Sequence, residues 1–432
     1  MLYSLRITFF VSQNQEGKVN ELQQYNQRKI VNDPVHGFIS IPDNILFELI
    51  EHPYLQRLRR IKQLGLTSLV YPGAVHTRFQ HTLGAFYLMG SAISVLRNKG
   101  HLISPDESTA AHAAILMHDI GHGPFSHALE QTLIENLSHE DISLLLMNRL
   151  NEHFKGQLSQ AIDVFKGHTG KLFLHQLVSS QLDMDRLDYL KRDSFFSGVS
   201  EGIIGSDRII KMLEIKNNEL VIEAKGIYSI EKFLVARRLM YWQVYLHKTA
   251  LVAEKMLINA LRRAKFLSLN NAEVPAPPFL STFLKNRFCT NDFLSNPTIL
   301  DDFTMLDDND IMSALKLWRD HNDPVLSRLS SSLLDRNLLR IEISDTPFDQ
   351  EKLMTLKKET HIKNIGPDEM DYFVFTDHIS NSAYNVGQEN INILYKDGTI
   401  KDISYASDML DHTAFAKTVN KYVLCYPKSI DR

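Results

Sequence analysis

His118-Asp119-Ile120-Gly121-His122 is the stretch on which the reading of this chain turns. Ala110 to Met117 leads straight into it as a run of small and apolar residues. His118 and Asp119 are therefore expected at the end of a tightly packable helix, a rigid base for groups that must hold a fixed geometry. Gly121 and Gly123 then let the backbone turn close to those groups. An isolated histidine at a helix end is ordinarily a packed or capping residue. Here the surroundings point elsewhere.

Arg78-Phe79-Gln80-His81 lies one helix upstream, Ser126-His127 and Ser138-His139-Glu140-Asp141 lie downstream, and Asp183, Asp185 and Asp188 follow on a further helix. Four helices that bring His, His-Asp and Asp together make a mixed imidazole and carboxylate site. Such a set suits iron, manganese or zinc, with magnesium served in part, and with open positions it can activate water for attack on phosphorus. Ser138 with Asp141 reads as a capping box, which puts His139 in a first helical turn.

The whole chain has 432 residues, 44% hydrophobic and 23% charged, which is ordinary for a soluble globular protein and long enough for two or three lobes. No stretch reaches the roughly 18 uninterrupted apolar residues of a membrane span, so no membrane partner is expected. Ile7 to Val11 reads as a tail or first strand and not as a signal peptide. Cys289 and Cys425 form no CxxC pair, so neither a disulfide framework nor a zinc ribbon is indicated, and a cytoplasmic setting is expected. A net charge of −4 leaves a nucleic-acid partner possible but not indicated.

Outward from the central stretch the chain reads as mainly α. Apolar residues keep helical spacing at Leu46 to Leu64, Leu83 to Leu96, Ala110 to His118, Ile142 to Leu150, Leu172 to Leu190 and Ile230 to Leu261. Short strands are expected at Phe38 to Ile41 and Leu220 to Ile222. A proline cluster near residues 270–279 marks a boundary. Beyond it, β-branched or aromatic runs at Leu338 to Ile343, Tyr372 to Thr376, Ile391 to Tyr395, Ile400 to Tyr405 and Tyr422 to Tyr426 give a smaller α+β lobe, with a hairpin turn at Lys396-Asp397-Gly398. The expected division is a tail over 1–27, a helical domain over 28–265 and the α+β lobe over 266–432.

The order His81, His118-Asp119, Asp185 resembles the signature of the HD superfamily. Asn32-Asp33-Pro34-Val35-His36-Gly37, Gln56 to Gly65 and His118 to His127 are similar to its dNTP triphosphohydrolase branch, of the kind that pairs a SAM domain with an HD domain. The similarity is strong over about 29–250. No SAM domain is expected, since only about 27 residues precede the matching start. The resemblance implies an HD phosphohydrolase domain followed by a regulatory and oligomerisation lobe. It makes His81, His118, Asp119 and Asp185 the ligands of a divalent metal (Fe, Mn, Zn or Mg). It sets His122, His127 and His139 around the α-phosphate, with His127 and Glu130 as a general acid and its orienting carboxylate.

By the same resemblance Arg78, Arg186, Arg237 and Lys248 contact phosphates, Gln63, Tyr189 and Asp193 hold the sugar, and Tyr245 lies beside the base. From the residues alone, Asp185, Asp188, Tyr189 and Arg192 share one helical face, and Arg237, Tyr241, Tyr245 and Lys248 form a stripe. That stripe reads equally as a polyphosphate pocket or a solvated face. A GTP or dNTP activator site at the interface of a homo-oligomer, dimer or tetramer, is partly matched by Lys29, Gln56, Arg59, Arg336 and Arg340. Glu51 stands there where the family has aspartate. The implied activity is hydrolysis of a dNTP to deoxynucleoside and inorganic triphosphate. Two alternatives stay open: an HD phosphohydrolase for another nucleotide or phosphate ester, and a nucleotide-sensing or nucleic-acid-binding protein with a vestigial site.

Overall fold

The computed structural model describes residues 29–125, 127–130, 132–134, 137–381, 384, 390–409 and 419–428. The expected N-terminal tail lies outside the described residues. The molecule is mainly α with small sheets. A hairpin of β1 (Lys29–Asp33) and β2 (Gly37–Ile41) opens the described chain. Helices α1 (Asn44–Glu51), α2 (Arg78–Asn98), α3 (Pro105–Met117), α4 (His139–His153), α5 (Ser159–Lys166), α6 (Leu172–Val178) and α7 (Met184–Ser197) follow.

Local chemistry sets the ends of these helices. The Thr77 amide donates to Gln80 Oε1 at 2.9 Å ahead of α2. Ser104 and Glu107 exchange hydrogen bonds ahead of α3, with Pro105 in the first turn where its missing N–H costs nothing. The expected Ser138–Asp141 box starts α4. Every residue of α3 from Ala110 to Met117 is buried, so the helix is surrounded and its short alanine side chains let α2 approach closely.

Two long helices expected from periodicity are each divided. Leu172 to Leu190 breaks at Ser179–Asp183, because the Asp183 carboxylate accepts from Ser180 and Arg186 amides and caps a new helix, α7. Ile230 to Leu261 becomes α8 (Ile227–Met240), a π-helical turn over Tyr241–Tyr245 and α9 (Lys248–Leu269). The Leu246 amide bonds to Tyr241 O at 2.7 Å, five residues back, and shifts the face of everything after it. Leu55 to Leu64 runs through short turns instead of a continuous helix, and Gly65 has φ +48°.

Strands β3 (Leu213–Lys216), β4 (Glu219–Glu223), β5 (Arg340–Ser344), β6 (Phe375–Asn381), β7 (Asn392–Leu394), β8 (Ile400–Asp402) and β9 (Val419–Tyr426) make two further sheets among the described residues. β7 lies parallel to β4 and antiparallel to β8, so the expected hairpin at 396–398 forms, with Gly398 at φ +86°. The run Ile400 to Tyr405 is strand only to Asp402, whose carboxylate accepts from the Ser404 amide and starts a short helix. β9 lies between β5 and β6. Cys425 is buried in β9 and Cys289 is exposed, both as free thiols.

Candidate metal centre

The turn after α3 carries His118 and Asp119, and three separate segments pin it. Ser143 of α4 donates its hydroxyl to His118 O at 2.9 Å and accepts from the Gly121 amide at 2.9 Å. A Cβ at 121 would fall on the α4 backbone, which is why glycine stands there. The fully buried Arg57 donates to Ile120 O at 3.1 Å, His122 O at 2.8 Å and Leu306 O at 3.0 Å. Burial pulls its guanidinium down to about 9, and it stays charged at neutral pH. Asp308 accepts from the Lys62 and Phe125 amides at 3.0 and 3.2 Å.

On this frame the four expected metal ligands converge. Asp185 Oδ1 lies 3.0 Å from His81 Nε2 and 3.6 Å from His118 Nε2, and Asp119 Oδ1 lies 3.3 Å from His118 Nε2. His81 Nδ1 donates to Asp188 Oδ2 at 2.8 Å and His118 Nδ1 donates to Ile115 O at 2.7 Å. Those two bonds fix the ring orientations, so that each Nε2 points into the centre. Both Nε2 atoms are buried and have no hydrogen-bond partner.

Burial disfavours charge on His81, yet Asp185 and Asp188 outweigh it and push the imidazole up to about 10. The cavity thus favours a positive charge at its centre. Orphaned, inward-facing nitrogens beside two carboxylates are the arrangement that a divalent cation completes, and the residues present fit one.

Next to it stands a second group, His122, Glu130 and His139. The rings of His122 and His139 stack at 3.8 Å between centroids, 15° from parallel. Near-parallel rings send their in-plane lone pairs side by side, so they converge poorly on one ion. They form a wall facing the metal centre. Burial and the Arg78 charge push His122 down to about 3, leaving it neutral at pH 7. Glu130 accepts from His139 Nδ1 at 3.0 Å, although its sequence position points to His127. The His127 side chain lies outside what the structure describes. Arg78 reaches Asp119 Oδ2 at 2.7 Å.

The remaining expected contacts divide. Arg237 is 9% exposed, and its Nε and Nη1 atoms are buried with no partner. Gln63 Oε1 is likewise buried without one. Arg186 ion-pairs with Asp183. Arg237 and Arg186 both act on the Tyr189 hydroxyl electrostatically, and Tyr189 meets Tyr245 edge to face. Asp193 is almost fully buried, with His76 Nε2 at 2.7 Å and the Tyr245 hydroxyl at 2.8 Å, so it stands behind Tyr245. Because of the π-helical turn, Lys248 begins α9 exposed and does not continue the Arg237 stripe.

The expected activator residues are surface groups in two places. Arg59 donates to Gln56 Oε1 at 2.7 Å and lies 3.7 Å over the Phe79 ring, Lys29 lies over Phe47, and Glu51 is exposed at the end of α1. Arg336 reaches across to Leu69 O at 2.9 Å, and Arg340 lies on β5 near the Tyr426 ring. Among the described residues no hydrogen bond or ion pair joins the two sets. Arg57, His76, Asp188 and His36 join the site without being expected there from the sequence. His36 and Arg57 lie in stretches similar to the family, and Asp188 shares the helical face of Asp185.

Residues 78–193 match the HD domain family model and 204–273 match the HD associated region model. A phosphohydrolase of Bacteroides thetaiotaomicron is 55% identical, with TM-score 0.90 over 93% of this chain and 100% of that one. The uncharacterized protein YwfO of Bacillus subtilis is 30% identical over 424 residues, 94% of this chain and 93% of that protein. The deoxynucleoside triphosphate triphosphohydrolase SAMHD1 homolog of Dictyostelium discoideum is 32% identical over 263 residues, and this chain spans 51% of its length. No helix among the described residues is long and apolar enough to cross a membrane.

Proposed function

The chain belongs to the HD-domain phosphohydrolase family, and on that footing we propose that it hydrolyses deoxynucleoside triphosphates to deoxynucleoside and inorganic triphosphate. The observation that carries this reading is Arg237, whose guanidinium has two nitrogens, Nε and Nη1, buried without a partner. A buried donor left without an acceptor costs about 1–3 kcal/mol, and an anionic ligand removes that cost. Arg78 and Arg186 add positive charge nearby, which suits a polyphosphate better than a single phosphate.

The reaction adds water at the α-phosphorus and breaks the bond to the 5′ oxygen, which takes up a proton. When bound, a divalent metal at His81, His118, Asp119 and Asp185 supplies Lewis acidity to the water and the α-phosphate. The stacked His122 and His139 face the α-phosphate as hydrogen-bond donors, and Arg78 orients Asp119. His127 gives the proton to the 5′ oxygen, with Glu130 on the same short helix. Arg186 and Arg237 take the outer phosphates, and the exposed Lys248 lies off that stripe. Gln63, with its orphaned carbonyl, and Tyr189 hold the deoxyribose, Asp193 supports them through Tyr245, and a tyrosine at the 2′ position leaves no room for a ribose hydroxyl.

Regulation is part of the proposal. Lys29, Glu51, Gln56 and Arg59 of one subunit and Arg336 and Arg340 of the second lobe bind a GTP or dNTP activator at an oligomer interface. The expected setting is cytoplasmic. The test is a screen of metal-loaded protein against all dNTPs and NTPs with products separated by anion exchange. Triphosphate with deoxynucleoside is the expected product pair. Pyrophosphate or orthophosphate as first product would move the cleavage position, and a preference for NTPs would remove the sugar gate.

A further inference from the structure

The Asn32-Asp33-Pro34-Val35-His36-Gly37 turn has no role in the chemistry above, yet it is wired into the metal centre. Asp33 Oδ1 accepts from the Val35 and His36 amides at 3.0 and 2.9 Å, which folds the turn and presents the His36 ring inward. His36 Nε2 then donates to Asp188 Oδ1 at 2.6 Å, with the two side chains 1% and 0% exposed. Arg192 bridges the same two points: its Nη1 reaches Asp33 Oδ2 at 2.8 Å and its Nε reaches Asp188 Oδ2 at 2.9 Å. Asp188 Oδ2 also holds His81 Nδ1. Three separate elements, the hairpin turn, α2 and α7, thus meet on one carboxylate. Gly84 makes room, since a Cβ there would fall on both Asp188 and Arg192.

The hairpin is tied to the body through this turn and through Ile39 and Ile41, which are buried in the core. Its strands pair with each other and with no further strand among the described residues, and Ile30 and Phe38 are 61% and 73% exposed. A carboxylate with all its acceptor positions taken has one orientation, and that orientation decides where His81 points its Nε2. Removing one donor frees Asp188 to rotate while leaving the four ligands in place.

We propose that His36 and Asp33, acting through Asp188 and Arg192, are positioning residues for the metal ligand His81, so that the N-terminal hairpin and the metal hold each other in place. The proposal rests on the metal centre described above. By linkage, whatever factor the turn contributes to metal affinity the metal returns to the turn.

Two measurements test it. Manganese(II) titrated into metal-free protein and followed by the free-ion EPR signal gives the affinity. His36→Phe, which keeps a ring against Tyr87 and loses the donor, is expected to weaken binding about tenfold, whereas His36→Gln, which keeps a donor, recovers most of it. The second measurement needs no variant: amide exchange over 33–37 in the natural protein is expected to slow by a like factor, about tenfold, when manganese is added. Manganese that binds with no change in exchange there, or His36→Phe that binds as the natural protein does, overturns the proposal and leaves the metal centre standing. A natural protein that takes up no metal overturns both.

Discussion

Tyr245 donates its hydroxyl to Asp193 across 2.8 Å from within the π-helical turn that separates α8 from α9. Burial and the Asp193 charge push that phenol well above its ordinary range, so it stays a donor at neutral pH. Tyr245 is thereby fixed edge-on to both Tyr189 and Tyr241, as a wall beside the base where it meets the proposed sugar-holding Tyr189. Tyr245→Phe should keep the wall and lose the tether, raising KM for dATP by about three- to tenfold with kcat nearly unchanged. Tyr245→Ala should in addition narrow the preference for deoxyribose over ribose. Steady-state kinetics on dATP and ATP decide it, and an unchanged dATP to ATP ratio in Tyr245→Ala would exclude the wall from sugar selection.

Arg57 is a structural pin for the metal turn, with no expected contact to substrate. Arg57→Leu leaves three buried carbonyls without donors, each loss costing about 1–3 kcal/mol. We expect thermal unfolding of the metal-free protein to drop by many degrees. An unfolding temperature within a degree or so of the natural protein would show that the carbonyls find other partners.

Protonation of the leaving oxygen can be separated from phosphate binding. His127→Ala is expected to slow dNTP hydrolysis by about 10²- to 10⁴-fold. With a p-nitrophenyl leaving group, which needs no proton, the loss should be far smaller. Equal losses on both substrates would assign His127 to binding.

Much of this centre can be read without coordinates, and the part that cannot has a common cause. His81, His118 and Asp119 stand in a fixed order at helix ends, and the Ser138–Asp141 box is local, so both are visible along the chain. Asp185 and Asp188 lie on one helical face three residues apart, and spacing alone does not say that one faces His81 Nε2 while the other holds the same ring from behind. Arg57 is harder still: its partners are main-chain carbonyls, at positions 120, 122 and 306, which carry no side-chain signature. The helix continuing through Tyr241 to Lys248 was expected from unbroken periodicity, and one inserted π-helical turn moves Lys248 off the stripe. Glu130 pairs with His139 because α4 folds back beside the short helix His127–Glu130, a tertiary contact that the i, i+3 spacing to His127 does not report.

Activation is expected to depend on Arg59, whose guanidinium lies exposed over Phe79, next in sequence to Arg78. Added GTP or dGTP should raise the rate on a second dNTP and shift the protein to a larger sedimenting species, and Arg59→Ala should reduce the ratio of activated to basal rate. Hyperbolic kinetics with no response to any added nucleotide, in a protein that stays monomeric, would remove the activator site.

The most direct test of the account is the metal content of purified protein and of Asp119→Ala, measured by inductively coupled plasma mass spectrometry on samples shown by circular dichroism to be folded. If His81, His118, Asp119 and Asp185 form the centre, the natural protein carries a divalent metal that Asp119→Ala largely lacks, and the variant is inactive. Equal metal content with full activity in Asp119→Ala would contradict it.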